Sequence, residues 1–374
     1  MIPTLFSSGN AIFNRSNGLG GLPDAISCVV TEKRNTASGY YLEMDYPVNG
    51  LHADLLAPER IIVAAPSKGY KPQPFRISRI TKPIDGIIHI YAPHVSDALR
   101  KMVIYGTVTG TDVQSLGRGL FNLALTIGQV SNFSFSSNIT TSYPITVGND
   151  EPIPMMDTLL GAEGSILDLA GGEYEFDEWD VILHQRRGVD SGIEIRYGVN
   201  MMDMQAETDD AEMVTAVVPY WKGNVNDVET VIHGAICSST NAASYSYLRC
   251  VPLDVSDQFQ LEQGQTPSQS DIEAKGQAYI NSTNLSALTM SIDVTYESIT
   301  DGIGERPLHL CDTVRVVHPD LGVSSTAKIV ETRFNVLTEK YDGLTIGTIQ
   351  KTIVDTIADL DRVVKAQKKT FKRR

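Results

Sequence analysis

The densest group of side chains with chemical capacity is the run Glu173-Tyr174-Glu175-Phe176-Asp177. In a strand, alternate residues share a face, so Glu173, Glu175 and Asp177 fall together. Carboxylates in such a row can bind a hard cation or exchange protons with a substrate. A half-buried antiparallel strand gives the same pattern, with aromatics inward and acids in water, and solvated acids are the expectation. A second acidic run, 201–213, carries Asp203, Glu207, Asp209, Asp210 and Glu212. It lacks the central Gly and terminal Glu of a calcium loop and reads as a solvated loop.

The sequence carries no other recognisable catalytic or metal-binding motif. His52, His89, His94, His184, His233, His309 and His318 include no two at metal-ligand spacing. His89, between Ile88 and Ile90, reads as a structural strand histidine. Cys28, Cys237, Cys250 and Cys311 form no CxxC and read as free thiols, mostly buried. There is no P-loop, HExxH or GxSxG sequence. Gly18–Gly21 reads GLGG but follows no expected strand, so it is a turn and not a phosphate cradle. Aromatic residues are 7 %, with Trp179 and Trp221 the only tryptophans, which is thin for a sugar-stacking module. No catalytic, cofactor-binding or metal-binding residue is assigned, and no cofactor is expected.

The elements that would position these groups are mostly strands. Over residues 1–110, segments 25–32, 40–46, 60–64, 73–80 and 86–91 are rich in β-branched and aromatic residues. Turn signals such as Pro47-Val48-Asn49-Gly50 and Asp85-Gly86 separate them. This spacing suggests a small antiparallel barrel. Leu116, Leu120, Leu123 and Leu125 predict a helix over 112–128, and Pro152 and Pro154 open a short one at 155–160. Strands are expected again at 211–220, 229–236, 288–296, 308–318 and 327–337. A helix at 268–280 has Ser268 or Ser270 as N-cap. Ile353, Ile357, Leu360 and Val364 make 353–370 an amphipathic helix. No short-period repeat is visible.

With 374 residues the chain has room for about two to four domains. The net charge is −14, and six basic residues from Lys365 to Arg374 leave residues 1–364 at −20. An acidic body argues against a tightly held nucleic acid. The basic end reads either as a solvated helix C-terminus or as a docking arm for an acidic partner or nucleic acid. No stretch approaches the roughly 20 apolar residues that span a bilayer. The first residues lack the basic and apolar regions of a signal peptide.

Three stretches resemble the N-terminal region of siphophage tail-associated lysins, the phage minor structural or prophage tail endopeptidase family. The first joins Asp24-Ala25, the run from Cys28 to Asn35, Tyr41 to Pro47, Gln73 to Ile77 and Ala92-Pro93-His94-Val95-Ser96. The second joins Gly164 to Leu167, Gly172-Glu173-Tyr174, Arg187-Gly188-Val189-Asp190 and Ile195 to Asn200. The third joins Leu310 to Val316, Ala327-Lys328-Ile329-Val330 and Tyr341-Asp342. The family usually carries Tyr-Asp-Leu soon after its His-Ile-Ser, where this chain reads Asp97-Ala98-Leu99.

The resemblance implies a fold that is mainly β with α+β parts, similar to the hub of contractile phage tails. It has two small related β-barrel domains plus α+β connecting domains. The expected division is a first barrel at 1–110, an α+β domain at 111–190 and a second barrel at 191–255 with 300–352. A small helical and strand domain follows at 256–299 with 353–374. The implied function is a baseplate hub at the virion tail tip, assembled in the host cytoplasm. A homotrimer would present six barrels to a distal tail protein hexamer and line or close the DNA channel. DNA would pass without specific binding. Further implied partners are the tape-measure protein and receptor-binding tail proteins, and the basic end would meet the tape-measure protein or a tail-tip subunit below. Many relatives continue into a peptidoglycan-degrading domain, whereas this chain stops at Arg374, so the hub is expected to be no enzyme. The alternatives are a receptor- or carbohydrate-binding tail protein and a tail-associated cell-wall hydrolase.

Overall fold

The computed structural model describes residues 1–14, 17–81, 84–128, 132–140, 144–161, 164–209, 213–225, 228–240, 242–259, 264–282, 289–296, 307–318 and 323–347. The expected helix at 353–370 and the basic end lie outside them. The chain forms two compact units, Met1–Gln205 with Ile292–Arg374, and Ala206–Ser291.

The first unit opens with β1 (Thr4–Phe6), β2 (Gly20–Gly21), β3 (Ser27–Lys33), β4 (Tyr40–Pro47), β5 (Ile61–Ala64), β6 (Gln73–Arg76), β7 (Arg79–Thr81) and β8 (Ile87–Pro93). Alternation puts Cys28 and Val30, Leu42, Met44 and Tyr46, and Ile88, Ile90 and Ala92 on the inner face of one sheet. A sheet ordered β2-β1-β5-β6 supplies Leu5, Ile62, Ala64 and Phe75 to the same core. The run expected as one strand at 73–80 is split, because the chain changes sheets there. The Ile77 amide donates to the Arg60 carbonyl, and the next amide, Ser78, donates to the Tyr91 carbonyl. The glycines expected as a turn end in β2, with Gly21 opposite Thr4.

An α+β segment follows: β9 (Val103–Gly110), α1 (Val113–Thr126), β10 (Ser134–Ser137), β11 (Ile145–Pro154), α2 (Met155–Leu159), α3 (Ile166–Ala170), β12 (Glu173–Asp177) and β13 (Asp180–His184). The expected long helix is α1. Asp112 and Ser115 cap each other's backbone N–H at its start, and Val113, Leu116, Leu120 and Ala124 face inward. A Cβ at Gly117 would stand 2.2 Å from the Phe135 ring, so the missing side chain lets the helix lie on β10. β12 and β10 flank β13, antiparallel and parallel respectively.

The chain continues as β14 (Asp190–Arg196) and β15 (Met201–Asp209). The acidic run expected as a loop is therefore strand as far as Asp209. Met202, Met204 and Ala206 alternate with Asp203, Gln205 and Glu207, a period-two signal that the count of acids obscures. Residues 210–212 lie outside the described residues.

The second unit is built on β16 (Ala216–Val225), paired with β17 (Val228–His233), β18 (Cys237–Ser238) and, in parallel, β19 (Cys250–Asp254). Helix α4 (Gln269–Ser282) buries Ile272 and Ile280, and the Ser268 hydroxyl accepts from the Asp271 amide as expected of an N-cap. Trp221 packs with Val255 and Ile272. The four cysteines are free thiols; Cys28, Cys237 and Cys311 are buried, and Cys250 is exposed.

The first unit closes with β20 (Thr289–Tyr296), β21 (Thr313–His318), β22 (Val323–Asn335) and β23 (Lys340–Gly347). The expected strand at 308–318 begins only at Thr313, because residues 309–312 form a turn. β22 is shared between two bodies. Its first half pairs with β21 and its second half with β3, while β23 lies along the other side. The resulting sheet runs β15-β20-β23-β22-β3-β4-β8-β7, with β14 beside β21.

The architecture is thus mainly β with few helices, and the described sheets are open. Two small closed barrels were expected; among the described residues the strand orders do not return on themselves, and no closed barrel forms. No described helix is long and apolar enough to cross a membrane.

Candidate functional site

Three distant parts of the first unit meet at a buried charge junction. On β3, Cys28, Val30 and Glu32 share one face, so Glu32 carries that face beyond the apolar core. Glu32 is 7 % exposed and faces Arg187, 8 % exposed, across 2.8 Å. The Arg187 guanidinium also donates to the Tyr174 carbonyl at 3.1 Å, and its backbone amide donates to Glu173 at 2.7 Å. Glu173 further meets Arg34 at 3.0 Å and Lys328 of β22 at 2.5 Å.

Burial disfavours the Arg187 charge, yet the Glu32 and Glu175 carboxylates hold it firmly protonated, above the ordinary arginine range. Asp312 completes the junction by accepting from the Val189 amide at 2.8 Å and the His309 amide at 2.9 Å. This capture is what turns residues 309–312 out of the expected strand. Gly188 lies between, at φ +75°, where a Cβ would stand 2.4 Å from the Cys311 carbonyl carbon. Only glycine fits that approach.

The acids of β12 are therefore not the solvated row expected. Glu173 is 2 % exposed, because Arg34, Arg187 and Lys328 cover it. Glu175 pairs with His184 at 2.7 Å, and that hydrogen bond holds its carboxyl below the usual range against the opposing effect of burial. Asp177 accepts from Gln73 at 2.8 Å and faces Lys71 at 3.3 Å. Each carboxylate has its own partner, so the three do not converge on one ligand.

A second polar knot holds the first body to the β12–β13 turn. His94 is fully buried and stacks on Tyr40 at 4.5 Å. Its Nδ1 lies 2.9 Å from the Ser96 hydroxyl and its Nε2 3.3 Å from Gln73 Oε1. The same Oε1 accepts from the Glu178 amide at 2.7 Å, so it is an acceptor and the proton sits on His94 Nε2. Burial lowers the His94 pKa to about 3. His89 lies elsewhere, exposed and paired with Asp45 at 2.6 Å.

Chemically, the junction is suited to locking sheets in register. Burial pushes the thiols of Cys28 and Cys311 up to about 12, far from a nucleophilic thiolate. Among the described residues no group of three His, Cys, Asp or Glu could hold a metal ion. Glu32, Glu173 and Arg187 lie far apart in the sequence, and none was expected as a site residue. Their available signal was charge at core-facing positions, as at Glu32 two residues after Val30. Five segments that carry the family resemblance meet here: 28–35, 172–174, 187–190, 310–316 and 327–330.

Comparison with curated proteins finds no match. Residues 189–357 match the family described as prophage endopeptidase tail. Three solved structures share the fold nearly end to end. Prophage tail protein gp18 of Listeria monocytogenes EGD-e is 16 % identical, with 98 % of this chain and 100 % of that chain covered and a TM-score of 0.58. The 43 kDa tail protein of prophage MuSo2 from Shewanella oneidensis is 11 % identical, with 94 % and 99 % covered and a TM-score of 0.60. The tail protein from Neisseria meningitidis MC58 is 11 % identical, with 93 % and 96 % covered and a TM-score of 0.58. The chain therefore has the fold of prophage tail proteins, and its match over residues 189–357 is to a phage tail family.

Proposed function

We propose that this chain is a structural protein of a phage tail, acting as the baseplate hub at the tail tip. The observation that carries the reading is the end-to-end likeness to three prophage tail proteins. The two β bodies joined through β22 support it, because the hub reading asks for two related β domains in each protomer. Three protomers then present six such domains to a six-fold distal tail protein ring. The buried charge junction supports a structural role, since Glu32, Arg187, Glu173, Lys328 and Asp312 tie distant segments of the chain together.

In this reading the trimer surrounds the DNA path, and the −20 charge of residues 1–364 makes the lumen repel DNA as it passes. A trimer structure with a basic lumen would remove that part. The basic end meets the tape-measure protein or a tail-tip subunit, and receptor-binding proteins attach below.

The test is the solution mass by light scattering after size exclusion, with and without the distal tail protein. A mass of three chains, alone or on that ring, is expected. A chain that stays monomeric and ignores the ring overturns the hub. The family description also names an endopeptidase. A zymogram on purified cell wall is expected to stay uncleared, and a cleared band would make the chain a hydrolase.

A further inference from the structure

The face of the β22-β3-β4-β8-β7 sheet turned away from the core is a groove of about 750 Å³, lined wholly by the first unit. That volume lies in the range of small-molecule sites, which run from about 300 to 1,000 Å³. Cross-strand register arranges its side chains in rows. In one row Glu43 stands opposite Tyr91, and Tyr91 opposite Arg79. In the next, Asp45 stands opposite His89. Tyr41 lies diagonal to Tyr91, with ring centroids 5.3 Å apart, and the Arg79 guanidinium sits 5.2 Å over the Tyr91 ring.

We infer that this groove binds a neutral glycan chain. Tyr41 and Tyr91 are half-buried, with Arg79 over the Tyr91 ring, so together they offer a small apolar platform with a polar rim, the surface that suits the flat face of a sugar ring. Charge in the groove is mixed: Glu43, Asp45 and Asp342 against Arg79 and Arg333. A polyanion such as nucleic acid needs clustered cations, which are missing. An amphipathic helix needs a continuous apolar groove, which is also missing.

What the groove supplies is a grid of hydrogen-bonding groups on rigid strands about 4.8 Å apart. Several are unspent. Among the described residues, the hydroxyls of Tyr41 and Tyr91 and the carboxylate of Glu43 have no hydrogen-bond partner. A polyhydroxylated ligand without net charge meets all of these conditions. The inference does not rest on the hub, because a monomeric chain would bind the same glycan.

The full chain is titrated with chitotetraose and with maltotetraose, followed by saturation-transfer NMR and calorimetry. Binding of at least one is expected, weakened about tenfold or more, roughly 1.4 kcal/mol, by Tyr91→Ala and by Tyr41→Ala. Glu43→Gln keeps the shape and is expected to weaken binding severalfold. Tyr105→Ala removes a tyrosine that is 49 % exposed outside the groove and should leave affinity unchanged. Circular dichroism checks that each variant is folded. No binding of either saccharide at millimolar concentration overturns the inference, as does binding that survives both tyrosine variants. Loss of distal-ring capture in those variants, without saccharide binding, reassigns the groove to a protein contact.

Discussion

Arg187 shows how much one side chain can be asked to do. It is buried against Glu32, so Arg187→Met leaves an unpaired carboxylate away from water. A cost of about 3–5 kcal/mol is expected, read as a lower urea midpoint. Lys71 makes two ion pairs but is half-exposed, and Lys71→Ala should cost under about 1 kcal/mol in the same measurement. His94 sets the acid side of stability. Its folded pKa, about 3, lies below the ordinary 6.5, so the unfolded chain takes up a proton first as pH falls. Stability is full above 6.5 and declines by up to about 1.4 kcal/mol per pH unit below it, levelling off near 3. Glu175, with its lowered pKa, adds to the decline at more acidic pH. His94→Gln should flatten the slope of the urea midpoint between about pH 6.5 and 5, ahead of the carboxylates. Little of this was visible in the sequence, because Glu32 lies far ahead of Arg187 in the chain, and the residues that bury His94, Tyr40 and Gln73, come from other strands.

At the scale of elements, local pattern and non-local capture compete. Helix α1 was legible because Leu116 and Leu120 recur at helical spacing and are both buried, although Leu125 of the same run is exposed and the Asp112–Ser115 cap was not anticipated. The strands at 40–46 and 86–91 were legible for the same reason, their alternation matching one buried face. The breaks were not. Residues 73–80 read as one strand until two different carbonyls claim consecutive amides at Ile77 and Ser78. Residues 309–312 read as strand until Asp312 takes two backbone amides. Glu173 reads as solvated until three basic residues cover it. Gly117 tests the packing of α1 directly. In an open helix Gly→Ala would gain about 1 kcal/mol, but here the new Cβ would collide with the buried Phe135 ring. Overpacking of about 1–3 kcal/mol outweighs that gain, so Gly117→Ala should lower the melting temperature.

For the whole molecule, the second unit is an insertion between neighbouring strands of the first. β15 and β20 lie side by side in the sheet, and the chain between them makes a core of its own around Val217, Trp221, Ile272 and Ile280. Replacing 206–291 with a short turn should leave the first unit folded, its melting temperature within a few degrees. Trp179, which donates to the Ala11 carbonyl, then reports unfolding as the single tryptophan. Loss of cooperative melting would mean that the units fold as one. The sequence showed a β-rich, acidic chain of several parts, but not that one strand, β22, serves two bodies. Such sharing is a fact of register, and composition does not carry it.

The cysteine distribution has a practical consequence for labelling this protein. Three thiols are shut inside, two of them with pKa values near 12, while Cys250 opens β19 at the surface. A maleimide dye added to the native chain should therefore attach once, at Cys250, and Cys250→Ser should abolish fast labelling in a mass spectrum. The molecule comes with its own address for a fluorophore, and following it in solution needs no engineered tag.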